Sequence, residues 1–229
     1  MFRLFSAAFS PALTPRSRWG RPGKSIYNRT MKLCAIAMVA LLPCLAATPD
    51  VDKGKTQGLA TAPIRMEIFG DFTCLHCRVL HEETLPLLMK EFVVPGKLYI
   101  IDRAFPLTGT GHQYSREAFG YAVAAARIGK YQEVADALYA HQEAWAMAGN
   151  VWDCVTAVLK NPADQKKVKD LSKDPGVLAE IEAEYQEGVQ AGVNQTPTMI
   201  VTTGGRRYPV PPGASYELLR SLLNGFLPK

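Results

Sequence analysis

The chain is 229 residues long, 48% hydrophobic and 21% charged, an ordinary globular composition with room for one sizeable core or two small ones. Its formal charge of +5 is concentrated at one end: residues 1–49 hold Arg3, Arg16, Arg18, Arg21, Lys24, Arg29 and Lys32 and no acid, so removing those seven charges leaves −2 on the rest. The basic balance belongs to the N-terminal segment, and a nucleic-acid partner loses its electrostatic support.

That segment has the order of a secretory signal. Lys32 precedes an apolar run from Leu33 to Leu45, and the small residues Ala46, Ala47 and Thr48 follow before the first acid, Asp50. Residues 1–48 are therefore expected to be a signal or targeting segment, with a periplasmic or otherwise exported address. The run falls short of the about 20 residues of a comfortable membrane span. Anchoring through residues 33–45 is the alternative, and lipid attachment at Cys44 is disfavoured by Pro43. Met31 offers a second start; from Met1, the long Arg- and Ser-containing leader also resembles an organelle transit peptide. Residues 49–63, polar and small, read as a linker.

Beyond the linker the elements alternate. Arg65 to Phe69 reads as a strand, Gly70 to Thr73 as a turn, and Arg78 to Glu91 as a helix that Pro86 should kink or break, since proline brings no N–H and crowds the preceding turn. Lys97 to Phe105 is a second strand whose continuous apolar stretch suits an interior, parallel position. From about residue 112 to 192 the period becomes helical, with Tyr114, Ala118, Tyr121, Ala125 and Ile128 on one stripe and Tyr131, Val134, Leu138 and Trp145 on the next. Gly129 and Gly149 end helices, while Asn161-Pro162 and Asp174-Pro175 start them by the cap-then-proline rule. The helix from Pro175 to Ala191 is expected to turn Leu178, Ile181, Tyr185 and Val189 inward. Thr198 to Thr202 and Arg207 to Val210 form a hairpin around Gly204-Gly205, its second strand an edge because of Pro209. A last helix, Ser215 to Phe226, should bury Leu218, Leu219, Leu222 and Phe226.

Chemistry concentrates in Cys74-Leu75-His76-Cys77, at the handover from strand to helix. A thiolate in the first turn of a helix is stabilised by unpaired backbone N–H groups and the positive end of the helix dipole. Cys74 is placed to be that thiolate, and Cys77, one turn deeper, to be the shielded resolving thiol. His76 stands where its ring can donate a hydrogen bond or charge to the Cys74 sulfur, which favours the reduced form and makes the disulfide more oxidising. Half a zinc site has the same Cys-x-x-Cys spacing, but His81, His112, His141 and Cys154 supply no second pair, so no metal or other cofactor is expected. Of the five cysteines, Cys34 and Cys44 fall in the leader, and Cys154 lies in apolar surroundings that suit a structural thiol. His81 reads as an exposed helix residue, and His112 and His141 as helix-surface or core-edge residues without a role. Pro197 leads from a loop into the third strand, where a cis bond can sit, although base rates alone favour an ordinary loop proline.

These residues carry a family resemblance. Phe72-Thr73-Cys74-Leu75-His76-Cys77, the Phe105-Pro106-Leu107 ending of the second strand, the helical insertion and Thr196-Pro197-Thr198 follow the order of the DsbA-like branch of the thioredoxin superfamily, over about residues 64–226. The resemblance implies an α/β, thioredoxin-like fold with a central mixed sheet and an inserted helical domain at about 112–192, within a domain at 64–227. It implies Cys74 and Cys77 as the redox disulfide, His76 as the tuning histidine of strongly oxidising members, and Pro197 as a cis-proline packed on the motif. Thr196 would offer its backbone to an extended substrate segment, with Leu75 at the same contact. Two positions depart from the pattern: Leu75 replaces the usual proline, and Ile68 stands where many relatives have a buried acid, leaving the proton acceptor unassigned.

The function implied is disulfide exchange with cysteine-containing exported proteins, in the oxidase direction, with a membrane redox partner, a quinone-linked oxidase or a reductase, restoring the pair. Isomerases of the superfamily carry an N-terminal dimerisation domain, for which residues 49–63 leave no room, so a monomer is expected. The alternatives are a reductase or isomerase of the same fold, or a Cu(I)-binding thioredoxin-like metallochaperone.

Overall fold

A computed structural model describes residues 54–227. Residues 1–48, expected to be a targeting segment, with the apolar run 33–45, Cys34 and Cys44, and the start of the expected linker lie outside the described residues.

Strands β1 (Thr56–Gln57), β2 (Ile64–Gly70), β3 (Leu98–Ala104), β4 (Thr198–Thr203) and β5 (Arg206–Pro209) form a mixed sheet in the order β1-β3-β2-β4-β5. β2 runs parallel to β3 and antiparallel to β4, so the two most apolar strands and β4 occupy the interior and the proline-bearing β5 lies at an edge. The β4–β5 turn uses Gly204 and Gly205, both at positive φ (55° and 73°), the backbone a two-residue hairpin requires. β1 differs from the linker reading: Thr56 and Gln57 pair with Ile101 and Ile100, and Lys55 is 1% exposed.

The parallel register sets Met66 beside Ile100 and Ile68 beside Asp102, on one face of the sheet. That face is covered by a continuous helical run and by α9 (Tyr216–Phe226). The run consists of α1 (Leu75–Val79), a π-helical turn (Leu80–Thr84), α2 (Leu85–Leu88) and a second π turn (Met89–Val93). The break expected at Pro86 is replaced by this widening. Pro86 lies in the first turn of α2, just past the π turn, and the backbone stays right-handed helical through every junction.

The helical block comprises α3 (Ser115–Ala126), α4 (Tyr131–Ala140), α5 (Gln142–Trp145), α6 (Val151–Val158), α7 (Pro162–Leu171) and α8 (Pro175–Gln190). Asn161 and Asp174 cap α7 and α8 through their side chains. The alanine-rich α3 is almost wholly buried and shares a core cluster with Leu138, Trp145, Val151 and Val155, and also with Phe72, Cys74 and Cys77. The Cys-x-x-Cys motif is thus packed into the block as well as onto the sheet.

Two helix faces differ from expectation. In α8, Leu178 and Val189 point outward, while Val177, Glu180, Ile181 and Glu184 are buried. The reason is electrostatic: Lys55 Nζ lies 2.5 Å from both Glu180 and Glu184, Arg127 pairs with Glu180, and Arg103 bridges Glu184 at 3.3 Å to Glu67 at 3.1 Å, so ion pairs occupy the face that apolar periodicity assigned to leucine and valine. Gly188 lets α8 lie close against the sheet; a Cβ there would come within 2.6 Å of the Phe105 ring. In α9, Leu219 and Leu223 are the buried pair, and Leu218 is exposed.

Candidate active site

Cys74 is the N-cap of α1, with extended backbone (φ −82°, ψ 121°), and its carbonyl accepts the Arg78 N–H at 3.2 Å. Its sulfur therefore faces the unpaired N–H groups of the first helical turn, which carries no acid to oppose a thiolate. Cys77 is nearly fully buried, and both thiols are free. The Cys74 thiol is lowered from the ordinary 9.0 to about 5: the largest cause is the hydrogen bond from Cys77, burial opposes it, and the Thr196 side chain and the backbone N–H groups of Cys77 and His76 add to it. Burial, followed by the adjacent Cys74 sulfur, pushes Cys77 well above the ordinary thiol range. The motif thus holds one thiol as a thiolate and the other as a protonated reserve. Cys154, whose Sγ donates to Ala137 O at 3.1 Å, is pushed up to about 11 by burial and is chemically quiet.

The sequence-predicted residues converge with one difference. The Thr196–Pro197 peptide is cis, Cys74 Sγ lies 3.3 Å from Thr196 O, a contact that is a hydrogen bond when the thiol is protonated, and Pro197 lines the cavity that Cys77 faces. Leu75 is 54% exposed beside Cys74. His76 is also exposed, and it acts on the Cys74 sulfur through its backbone N–H rather than through its ring, because the helical turn directs the side chain outward. The ring instead lines a groove of about 720 Å³, together with Val79, Leu87, Thr196, Pro197 and Tyr216.

Several residues that sequence reasoning passed over hold this site. Asp71, fully buried, accepts hydrogen bonds from Thr73 N and Thr73 Oγ1 at 2.5 Å, Leu107 N at 2.5 Å and Ser115 Oγ at 2.6 Å, while its own N–H points at Cys77 Sγ, 3.4 Å away. Gln142 on α5 donates to Phe72 O at 2.7 Å and Cys74 O at 3.0 Å. Asp71 was visible as a turn aspartate that bonds an N–H two residues on. The partners at 107, 115 and 142 had no local signal.

Beneath Cys77 lies a cavity of about 30 Å³, lined by Ile68, Asp102, Tyr131, Tyr139 and His81 among others. This is room for a water molecule. Asp102 stands beside Ile68 on the neighbouring strand, so an acid absent from β2 is present one strand over. Burial raises Asp102 to about 6, partly offset by His81, the Gln132 side chain and Lys55. His81, expected on the surface, is packed on Tyr139 (centroids 4.6 Å apart) and bonded to Asp136 at 2.8 Å. Among the described residues there is no group of three or more His, Cys, Asp or Glu side chains able to hold a metal ion, and no helix is long and apolar enough to cross a membrane.

A family model described as thioredoxin matches residues 50–220. No curated protein matches the chain. Among solved structures, BdbD from Bacillus subtilis in its oxidised form superposes with TM-score 0.62 at 19% identity, covering 76% of this chain and 92% of that one. The α-DsbA1 of Wolbachia pipientis gives TM-score 0.65 at 17% identity over 75% and 89% of the two chains, and DsbA2 of Pseudomonas aeruginosa gives 0.60 at 18% over 76% and 94%.

Proposed function

The chain belongs to the thioredoxin family, and from this premise we propose that it is of the DsbA-like branch, an exported thiol-disulfide oxidoreductase working in the oxidase direction. The observation that carries the reading is the asymmetry of the two thiols, Cys74 lowered to about 5 and Cys77 raised. A stabilised Cys74 thiolate stabilises the reduced pair, and a stable reduced pair makes its disulfide an oxidant.

A substrate thiolate attacks Cys74 Sγ of the Cys74–Cys77 disulfide; a substrate–Cys74 bond forms, and Cys77 departs with the electron pair and takes a proton. A second substrate thiolate then attacks the substrate sulfur, and Cys74 leaves as its stable thiolate. The substrate loses two electrons to form its disulfide, and the enzyme pair is reduced to two thiols. A membrane redox partner, such as a quinone-linked oxidase, removes those electrons. An extended segment of the exported substrate would lie along the groove beside Thr196 and Pro197, with Leu75, Val79 and Leu87 supplying apolar contact.

Asp102 fits the proton step, since it shares the small cavity with Cys77 and titrates near 6. Asp102→Asn is expected to slow reduction of the enzyme disulfide by a dithiol substrate by at least about tenfold at pH 7, a modest share of the usual general acid–base contribution. Stopped-flow fluorescence would measure it, and a change below about twofold removes Asp102 from the proton path.

The reading itself is tested by trapping. In Cys77→Ala, Cys74 should accumulate mixed disulfides with cysteine-containing exported proteins, seen as adducts that collapse on reduction and are missing in Cys74→Ala. Absence of adducts, with stoichiometric Cu(I) held against glutathione, would replace the oxidoreductase with a copper carrier. Direction is set by equilibrium with glutathione: a potential near thioredoxin's, about −270 mV, rejects the oxidase, and one approaching DsbA's, about −120 mV, supports it.

A further inference from the structure

The thiol chemistry leaves His112 unused, although its position is well defined. It lies half-buried in the loop between β3 and α3, with its backbone held by His112 N→Gly109 O and Ser115 N→His112 O, both 3.1 Å. Its Nδ1 is 2.6 Å from Thr73 Oγ1, and Thr73 is the residue before Cys74.

Donor counting fixes the direction of each bond. Asp71 Oδ1 receives Thr73 N and Thr73 Oγ1, and Oδ2 receives Leu107 N and Ser115 Oγ. Backbone N–H groups only donate, so each Asp71 oxygen is already engaged as an acceptor. Thr73 has one hydroxyl proton, directed at Asp71, and turns a lone pair to His112. Nδ1 of His112 must then carry a proton, which leaves Nε2 as the basic nitrogen of the neutral ring.

We propose that His112 is a positioning residue of the redox turn, donating from Nδ1 to Thr73 and completing a His112–Thr73–Asp71 chain that holds the entry to Cys74 from the side of the helical block. The proposal rests on Cys74 being the reacting thiol. The backbone N–H groups of His76 and Cys77 that favour its thiolate belong to the turn that Thr73 leads into. Gln142 grips this turn by its carbonyls, and Asp71 and His112 grip it by the Thr73 side chain. Without the His112 donor, Thr73 keeps only its bond to Asp71, and the first turn of α1 is held less firmly over the sulfur.

Two readouts on the full chain test this. In ¹⁵N NMR of the unaltered protein above the histidine titration, His112 should show the Nδ1–H tautomer; an Nε2–H tautomer overturns the proposal, and this measurement needs no variant to fold. In the second, labelling of Cys74 by iodoacetamide is followed by mass spectrometry. Expressed as a fraction of each protein's own rate at pH 8, which cancels the change in reactivity per thiolate, labelling at pH 5.5 should fall about threefold in His112→Ala, the change expected when a thiol near 5 moves up by roughly one unit. His112→Asn, whose amide sets an N–H near the Nδ1 position, should recover most of it. Equal fractions for the alanine variant and the unaltered chain, or no recovery with asparagine, overturn the proposal. Failure of the oxidoreductase reading looks different: Cys74 labels normally, and the Cys77→Ala trap captures nothing.

Discussion

Between pH 6 and 8 the alkylation rate of Cys74 in the reduced protein should be nearly flat, falling to half near pH 5, where an ordinary thiol would change by roughly a hundredfold over the same two units. The expectation follows from a thiol lowered to about 5 by the Cys77 hydrogen bond, the Thr196 side chain and the backbone N–H groups of Cys77 and His76. The plateau itself need not be high, because nucleophilicity per thiolate declines as the pKa declines. The profile, rather than the absolute rate, is the signature. It also has a counterpart in stability. A folded value depressed from 9.0 to about 5 means that the unfolded reduced chain binds more protons in that window. The contribution to the reduced fold is fully present above 9, grows as pH rises from 5, and is lost as pH falls through about 5. The raised Cys77 value acts with the opposite sign only above the ordinary thiol range. The reduced form should therefore gain melting temperature relative to the disulfide form as pH rises from 5 to 8. Parallel melts of the two forms check this, and a difference independent of pH would remove the thiolate as the source of oxidising power.

Asp71→Ala should be the most damaging single change outside the cysteines. It strands the N–H groups of Thr73 and Leu107 and removes the acceptor of two hydroxyls, all gathered on one buried carboxylate. An unsatisfied buried donor costs about 1–3 kcal/mol, so two backbone donors alone amount to roughly 4 kcal/mol. In a domain of this size that lowers the melting temperature by about 10 °C. Asp71→Asn should fall between the two, because its amide retains an acceptor on one side and presents N–H to donors on the other. The pH profile of Cys74 separates stability from function: in a folded Asp71→Asn protein its midpoint should move upward as the turn loosens. A melting loss under about 3 °C for the alanine variant would mean that the four bonds are not the anchor described.

The frame of this molecule is legible in its sequence because the relevant signals are local. Two apolar strands, the glycine pair of the hairpin, and Asn161-Pro162 and Asp174-Pro175 each state their role within a few residues, and the observed elements start and stop close to those marks. The Cys-x-x-Cys motif belongs to the same class of signal, whereas the cis Thr196–Pro197 bond was expected from the family resemblance, the local residues alone favouring an ordinary loop proline. What escaped was non-local. Periodicity counted Leu178 and Val189 toward the core of α8 because it had no means of knowing that a lysine 129 residues before Glu184 would be buried against that helix. The search for a buried acid looked along β2, where Ile68 stands, whereas Asp102, the acid proposed for the proton step, arrives from β3 through strand register. His112 read as a helix-surface or core-edge residue and Gln142 drew no reading, since their meaning comes from Thr73 and Cys74, which only the folded chain brings near them.

Lys55 stands at the beginning of the described residues, and its carboxylate partners stand close to the end of the helical block. A chain delivered amino end first presents this ammonium group long before Glu180 and Glu184 exist to neutralise it, so it must stay hydrated while more than a hundred residues follow. The ion pairs that bury the residue next to β1 can therefore form only once residues 180 and 184 have been made, although the strand's own partner, β3, precedes them by some eighty residues.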